Sequence, residues 1–151
     1  MDIKPGDFSD PRVIDLLRLH LSGMQANSPA GSVQALDLSG LQQPAISFFT
    51  AWEGETLLGC GALKELDAAS GELKSMRTYP GHLRKGVGQA MLDHLAVLAR
   101  ARGYTRLSLE TGSGDAFEPA LALYRKNGFR NGARFADYEA SAFNQFLHLE
   151  L

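Results

Sequence analysis

The chain has 151 residues, of which 44% are hydrophobic and 21% charged, with 16 glycines and 6 prolines. This length predicts one domain with its own core, and the composition excludes disordered, collagen-like and coiled-coil classes. The 15 basic and 17 acidic residues give a formal charge of -2, which is too little positive charge to hold nucleic acid or an anionic membrane. We therefore expect a small-molecule partner.

Signals for export, crosslinking and metal binding are weak. Cys60 is the one cysteine in the sequence, so no internal disulfide is expected. No charged segment with an apolar run follows Met1, and no apolar run approaches the roughly 18 residues of a membrane span. The histidines lack metal-ligand spacing. These features predict a cytoplasmic protein with no membrane partner and no bound metal.

The N-terminal half predicts a helix followed by three antiparallel strands. Apolar residues recur at helical spacing behind Ser9 or Asp10 as a cap, and a Glu53-Gly54 turn then joins two strands in a hairpin. Residues 25–44 show weak periodicity, with Ser32 as the cap of a short helix through Leu38, and form a candidate ligand-facing segment. The predicted bounds are 10–24 for the helix and 46–52, 56–66 and 71–79 for the strands.

The C-terminal half alternates helices with strands. An apolar stripe starts at Val87 and ends at the Gly103 stop, and it predicts the longest helix. A half-buried strand over 105–111 follows at once, which implies a parallel crossover. A further helix over 115–126 and a last strand over 144–151 complete one α/β unit with helices on both sides of a mixed sheet.

A glycine-rich turn, Arg84-Lys85-Gly86-Val87-Gly88-Gln89, precedes the longest helix. The first N–H groups of a helix lack intrahelical partners and, with the macrodipole, attract a phosphate or pyrophosphate. Gly86 and Gly88 let such a ligand approach the backbone, and Arg84 and Lys85 add positive charge. The alternative is that both glycines only permit close strand–helix packing. Neither the P-loop string nor the dinucleotide fingerprint is present.

Two motifs in order resemble the GNAT superfamily of acyl-CoA-dependent N-acetyltransferases. Leu83-Arg84-Lys85-Gly86-Val87-Gly88 overlays its pyrophosphate loop, Gln/Arg-x-x-Gly-x-Gly/Ala, except at Leu83. Ala120-Leu-Ala-Leu-Tyr124-Arg-Lys-Asn-Gly128-Phe129 matches Ala-x-x-x-Tyr-x-x-x-Gly-Phe at every fixed position, although Phe117 replaces the usual Asn. The strings Glu72-Leu-Lys-Ser-Met-Arg and Leu109-Glu-Thr-Gly112 are similar to those of a small bacterial subgroup.

The resemblance implies a GNAT-like fold over residues 1–151: a mixed, mostly antiparallel central sheet flanked by helices in a single domain. It implies acetyl-CoA as acyl donor, bound by the glycine turn and by the end of the strand before it. The fourth and fifth strands are expected to splay near Met76, whose neighbouring backbone N–H groups would form an oxyanion hole. A homodimer through the last strands stays open.

The resemblance also implies roles for particular residues. An alkylammonium has a pKa near 10, so the reaction needs a base, and Glu72 is the first candidate with Glu110 in reserve. Tyr124 stands at the position of the general acid. His20 and Met24 lie on the first helix, where the acceptor is expected. The residues implied in cofactor binding are Met76, Arg77, Thr78, Arg84, Lys85, Gly86, Val87, Gly88, Gln89 and Phe117.

Each of these residues has a plainer interpretation. Glu72 fits a solvated acid at a strand start, Tyr124 a core aromatic, and His20 a packed histidine. Cys60 fits a buried small apolar residue better than an acyl relay.

The expected function is direct transfer of acetyl from acetyl-CoA to a primary amine of a small metabolite or amino acid in a ternary complex. Two alternatives remain at this point. The first is a catalytically weak acyl-CoA-binding module. The second is an enzyme that acetylates proteins or peptides, which would need an open groove for the chain.

Overall fold

The computed structural model describes residues 1–31 and 37–151. Its seven strands are β1 Asp2–Pro5, β2 Ile46–Glu53, β3 Thr56–Asp67, β4 Ser70–Thr78, β5 Arg106–Thr111, β6 Arg130–Asn131 and β7 Gln145–Glu150. Its helices are α1 Pro11–Ala26, α2 Leu38–Leu41, α3 Val87–Ala101 and α4 Glu118–Lys126. The strands form one sheet in the order β1-β2-β3-β4-β5-β7-β6.

Neighbouring strands are antiparallel except β4 and β5, which run parallel on either side of the α3 crossover. The predicted mixed, mostly antiparallel sheet flanked by helices is therefore confirmed, as is the crossover. None of the helices in the described ranges is long and apolar enough to cross a membrane.

The helix starts follow from local chemistry. The Asp10 side chain accepts a hydrogen bond from the Arg12 N–H at 2.9 Å, and Pro11 occupies the first turn of α1. This selects Asp10 over Ser9 as the cap. The predicted cap at Ser32 lies outside the described residues; within them, Asp37 caps α2 by accepting from the Gly40 N–H at 2.8 Å.

Three elements differ from the sequence expectation. β1 has no apolar alternation and contains a proline, which an edge strand tolerates, and it pairs with β2 alone. β6 is two residues long, too short to show a period. The helix predicted from 115 begins as α4 at Glu118, because Asp115–Phe117 forms a single 3₁₀ turn.

Two apolar clusters cover the two faces of the sheet. One cluster joins β3, β4 and β5 to α3 and α4, through Leu63, Leu107, Leu95 and Leu121 among others. The other packs α1 and α2 against β2 and β3, through Leu16, Leu41, Phe48 and Trp52. The helices thus lie on opposite faces, and any ligand that reaches both α1 and α4 must pass the sheet itself.

The sheet opens between β4 and β5. The two strands pair only where residues 70–72 face residues 106–108. Further along β4 a bulge places two residues, Ser75 and Met76, opposite the single Gly61 of β3. Ser75 takes a left-handed backbone conformation there, with φ 53°. The expected splay of these strands near Met76 is confirmed.

Candidate active site

The turn before α3 is shaped to accept an anion. Gly86 is the N-cap residue with φ 80°, and no side chain caps the helix. Arg84 is also left-handed, with φ 63°. A Cβ built on Gly86 would meet no atom within 4 Å, so the space beside this residue at the start of α3 is open. The first N–H groups of α3 can therefore bind a ligand phosphate.

The other glycines near the turn are required by packing. A Cβ on Gly88 would lie 3.1 Å from Leu123 Cδ2 of α4. A Cβ on Gly59 would lie 2.6 Å from the Arg77 carbonyl oxygen and 2.9 Å from Val87 Cγ1. Gly88 therefore lies close to α4, Gly59 has no room for a side chain, and Gly86 serves the conformation of the turn.

A cavity of about 500 Å³, here called the α3 cavity, lies beside this turn. The end of β4, the first turn of α3 and one side of α4 form its walls. It is lined by most of the residues implied in cofactor binding: Met76, Arg77, Thr78, Arg84, Gly86, Val87, Gly88 and Gln89. The Gln89 side chain donates to Asp93 Oδ1 and to Asn127 Oδ1, both at 2.8 Å. Its backbone N–H is the group left for a ligand.

Two residues implied in cofactor binding are placed differently. The Lys85 ammonium lies 3.1 Å from His82 Nδ1 at the surface. Phe117 packs edge to face on Phe143, at a centroid distance of 5.5 Å, and faces the other cavity. Their roles toward the cofactor stay predictions.

The opening between β4 and β5 is here called the gap. A second cavity, the α1 cavity, encloses about 160 Å³ on its far side. Residues of α1, β4, β5 and α4 form its walls, together with Tyr138 from the 132–144 connection between β6 and β7. Both acceptor residues and both candidate bases line it: His20, Met24, Glu72 and Glu110. The structure therefore brings these four residues to one place.

Glu72 lies at the centre of a buried polar cluster. Its side chain pairs with the Lys74 ammonium at 3.1 Å, and the Tyr138 hydroxyl donates to the same carboxylate oxygen, Oε2. Lys74 also donates to the Tyr138 oxygen at 2.7 Å. Glu72 is only 1% exposed, so the interpretation as a solvated acid is wrong. Tyr138 was missed, because it lies in an irregular connection that carries no periodic signal.

Glu110 is half-buried on the neighbouring strand. Burial raises the pKa of this carboxyl, as does the nearby Glu72 charge, while a hydrogen bond from Asn144 and the Lys74 charge oppose the rise. A carboxylate with a raised pKa is a better proton acceptor near neutral pH. Glu110 therefore has the properties of a base. Glu72 could accept a proton only after releasing its contacts with Lys74 and Tyr138.

His20 is buried, as its plainer interpretation expected, yet it faces the cavity. Its Nδ1 accepts a hydrogen bond from Arg77 Nε at 3.0 Å, so the ring is held neutral. Burial, and to a smaller extent the positive charge of Arg77, together lower the pKa of His20 to about 4. The imidazole contributes no positive charge to the cavity at neutral pH.

Tyr124 lies where the two cavities meet. Five residues line both cavities: Met76, Arg77, Ala116, Ala120 and Tyr124. The Tyr124 ring packs on Phe129, and burial raises the pKa of its phenol to about 12. The hydroxyl is therefore protonated at neutral pH and available as a donor at the gap.

Cys60 is buried under β4, and its thiol donates to the Ser75 carbonyl oxygen at 3.2 Å. Burial raises the pKa of this thiol to about 12. A thiol so far from ionisation is a poor nucleophile, and the interpretation as a buried apolar residue is confirmed. Among residues 1–31 and 37–151 no cluster of His, Cys, Asp and Glu is suited to hold a metal ion.

An anion-binding helix start and a second cavity joined to it through a split sheet are together the features of an acyl-CoA-dependent transferase. The sequence profile of the Acetyltransferase (GNAT) family matches residues 14–129. The chain belongs to this family and is an acyl-CoA-dependent N-acetyltransferase. The predicted superfamily is confirmed.

Two relatives match the chain over nearly its whole length. The uncharacterized N-acetyltransferase YsnE of Bacillus subtilis is 49% identical over 100% of both chains. The uncharacterized N-acetyltransferase YedL of Escherichia coli is 46% identical over 99% of this chain and 94% of its own. A crystal structure from Klebsiella pneumoniae, assigned as an acyl-CoA N-acyltransferase, is 28% identical with a TM-score of 0.82, covering 99% of this chain and 97% of that one.

Proposed function

We propose that the chain transfers the acetyl group of acetyl-CoA directly to the primary amine of a small molecule bound in the same complex. The observation that carries this proposal is the meeting of the α3 and α1 cavities at Met76, Ala120 and Tyr124. A donor in one cavity and an acceptor in the other can react there without an acyl-enzyme. Direct attack also fits Cys60, whose buried thiol is unsuited to relay an acyl group.

The residues around the α3 cavity fit acetyl-CoA. The N–H groups of the first turn of α3 and the open space over Gly86 suit its pyrophosphate, with Arg84 adding positive charge. Met76 and Thr78 line the path from that turn to the gap, which suits the pantetheine arm. When bound, acetyl-CoA supplies an acetyl thioester.

The α1 cavity and the gap supply the proton transfers. As the carbon–nitrogen bond forms and the carbon–sulfur bond breaks, the ammonium must lose two of its protons and the departing sulfur must gain one. Glu110 receives the first proton before the attack, directly or through one water. The Tyr124 hydroxyl donates a proton to the sulfur, and the second proton lost by the nitrogen restores the hydroxyl. Glu72, which is paired with Lys74 and accepts from Tyr138, is the second candidate proton acceptor. Backbone donors left by the bulge near Met76 hold the carbonyl oxygen.

A small acceptor is favoured over a peptide. The hydrogen bonds from Tyr138 to Glu72 and from Lys74 to Tyr138 join the 132–144 connection to β4. This closes one side of the α1 cavity, where a peptide would need a continuous groove. The remaining opening suits a compact amine.

The proposal is tested first by binding. Acetyl-CoA at a hundredfold excess over its Kd should stabilise the protein by about 2.7 kcal/mol, measured as a rise in Tm. Gly86→Asp should abolish the rise by placing a carboxylate against the phosphates. Gly103→Asp is the matched control, because Gly103 has φ 82° and open space but lies at the other end of α3. The control should keep the rise in Tm.

Turnover is measured next as thiol release across a panel of primary amines. Release with small amines supports the proposal. Binding of acetyl-CoA without release on any amine would identify the chain as a binding module. Loss of the Tm rise in both glycine variants would remove the assignment of the turn to acetyl-CoA.

A further inference from the structure

Arg77 carries a positive charge that no carboxylate of the described chain neutralises. The ion pairs among residues 1–31 and 37–151 join Arg12 to Asp10, Lys74 to Glu72 and Arg106 to Glu150. Arg77 instead donates to two uncharged acceptors, His20 Nδ1 at 3.0 Å and the His20 carbonyl oxygen at 3.2 Å. A partly buried guanidinium without an opposite charge is costly, so the site is suited to an anion.

Helix α1 is shaped to hold this guanidinium. Gly23 lies within α1, where glycine weakens a helix, and a Cβ there would lie 2.6 Å from Arg77 Nη2. The missing side chain at Gly23 is the space that Arg77 occupies. His20, one turn earlier, fixes the Nε and Nη2 edge and leaves both N–H groups of Nη1 without an acceptor in the described chain. Arg77 lines the α1 cavity together with His20 and Gly23.

The rest of the cavity has the opposite polarity. Glu72 is paired with Lys74, whereas Glu110 forms no ion pair among the described residues and lines the cavity proposed to receive the amine. We propose that Arg77 binds a carboxylate of the acceptor, so that the acceptor is an amino acid rather than a simple amine. This inference rests on the proposed function. Because Arg77 also lines the gap, the carboxylate lies close to the reacting amine.

The experiment compares matched acceptors that differ at the carboxylate. L-Phenylalanine, L-phenylalaninamide and phenethylamine form one set, and L-leucine, L-leucinamide and isoamylamine another. Charge-assisted hydrogen bonds predict that wild-type kcat/KM is about ten- to a hundredfold higher for an acid than for its amide. Arg77→Gln should remove this preference, and Arg77→Lys should restore part of it.

Gly23→Ala separates position from charge. The added methyl group displaces the Arg77 guanidinium, while the positive charge of Arg77 is retained. Folding is also retained, because alanine favours the helix more than glycine does. We expect this variant to lose the preference for acids as Arg77→Gln does. A readout without turnover is the Tm of the CoA complex with N-acetyl-L-phenylalanine or its amide, where only the acid should stabilise wild type.

Equal kcat/KM for acids and amides in wild type would overturn the inference. So would an Arg77→Gln variant that keeps the preference but binds acetyl-CoA more weakly, since Arg77 would then serve the cofactor. If no amine is acetylated although acetyl-CoA binds, the proposed function fails instead. In that case the binding of the N-acetyl acid still decides the role of Arg77.

Discussion

Replacing Tyr124 by Phe removes one oxygen where the two cavities meet and leaves the ring in place. The side chain is 6% exposed, and its ring lies edge to face on Phe129 at a centroid distance of 5.6 Å. Burial alone accounts for the raised pKa of the phenol, with no hydrogen-bond partner for it in the described chain. We therefore expect the free energy of unfolding to change by less than about 1 kcal/mol.

The expected loss of turnover follows from the same burial. General acids contribute about a hundredfold to ten-thousandfold. The pKa of Tyr124, about 12, exceeds the value of about 8.5 for an ordinary thiol, so full proton transfer to the thiolate is uphill. We therefore expect kcat to fall nearer a hundredfold, with the Kd of acetyl-CoA unchanged within about twofold. Single-turnover kinetics isolate the chemical step from product release.

Tyr104→Phe is the matched control. Tyr104 is also buried, but its hydroxyl bonds to Glu65 Oε1 at 3.0 Å, and it lines neither cavity. The control should lose about 1 kcal/mol of stability and keep its turnover. A Tyr124→Phe enzyme whose single-turnover rate stays within about threefold of wild type would refute the reasoning. Tyr124 would then be a core aromatic, and the proton would come from water or another residue.

Four other substitutions test the two candidate proton acceptors, the buried histidine and the packing at the turn. Glu110→Gln should lower kcat/KM about tenfold or more near pH 7. The difference from wild type should shrink toward pH 10, because the amine then deprotonates unaided; a difference that does not change with pH would contradict the assignment. Glu72→Gln should also cost about 3 kcal/mol of stability in urea, since Lys74 loses its partner. Because the pKa of His20 is lower in the folded than in the unfolded chain, His20 is protonated at a higher pH in the unfolded chain. The free energy of unfolding therefore falls as the pH drops from about 6.5 to about 4, by about 3 kcal/mol in total. Urea unfolding at pH 7 and pH 4 should show a smaller fall for His20→Gln, and equal falls would show that other groups cause it. Gly59→Ala forces a methyl group to 2.6 Å from the Arg77 carbonyl oxygen, so it should cost about 1–3 kcal/mol and weaken acetyl-CoA binding; an unchanged Kd would show that the turn adapts.

The sequence predicted those features that depend on neighbours along the chain. The stripe that begins at Val87 and the hairpin around Glu53-Gly54 are local periodic patterns, and both are present. β1 escaped prediction, because its pairing with β2 rather than its own residues makes it a strand.

The candidate site was predicted in part for the same reason. The motifs located Tyr124 and the turn at Gly86, which lie in regular elements. Glu72 contacts Tyr138 across a sequence separation of 66 positions, and Arg77 contacts His20 across 57 positions. No rule of sequence spacing connects residues so far apart. Gly23 was only a weak sign of the Arg77 site, because a glycine inside an otherwise regular helix does not indicate what packs against it.

The split between β4 and β5 divides the enzyme into two parts that can diverge separately. Residues around the α3 cavity come from β4, α3 and α4, whereas helix α1 and the 132–144 connection contribute only to the α1 cavity. Substitutions in these two segments leave the first turn of α3 untouched, because neither segment lines the α3 cavity. A lineage can therefore exchange one amine for another by changing about one helix and one loop, while the part that binds the common acyl donor is inherited intact.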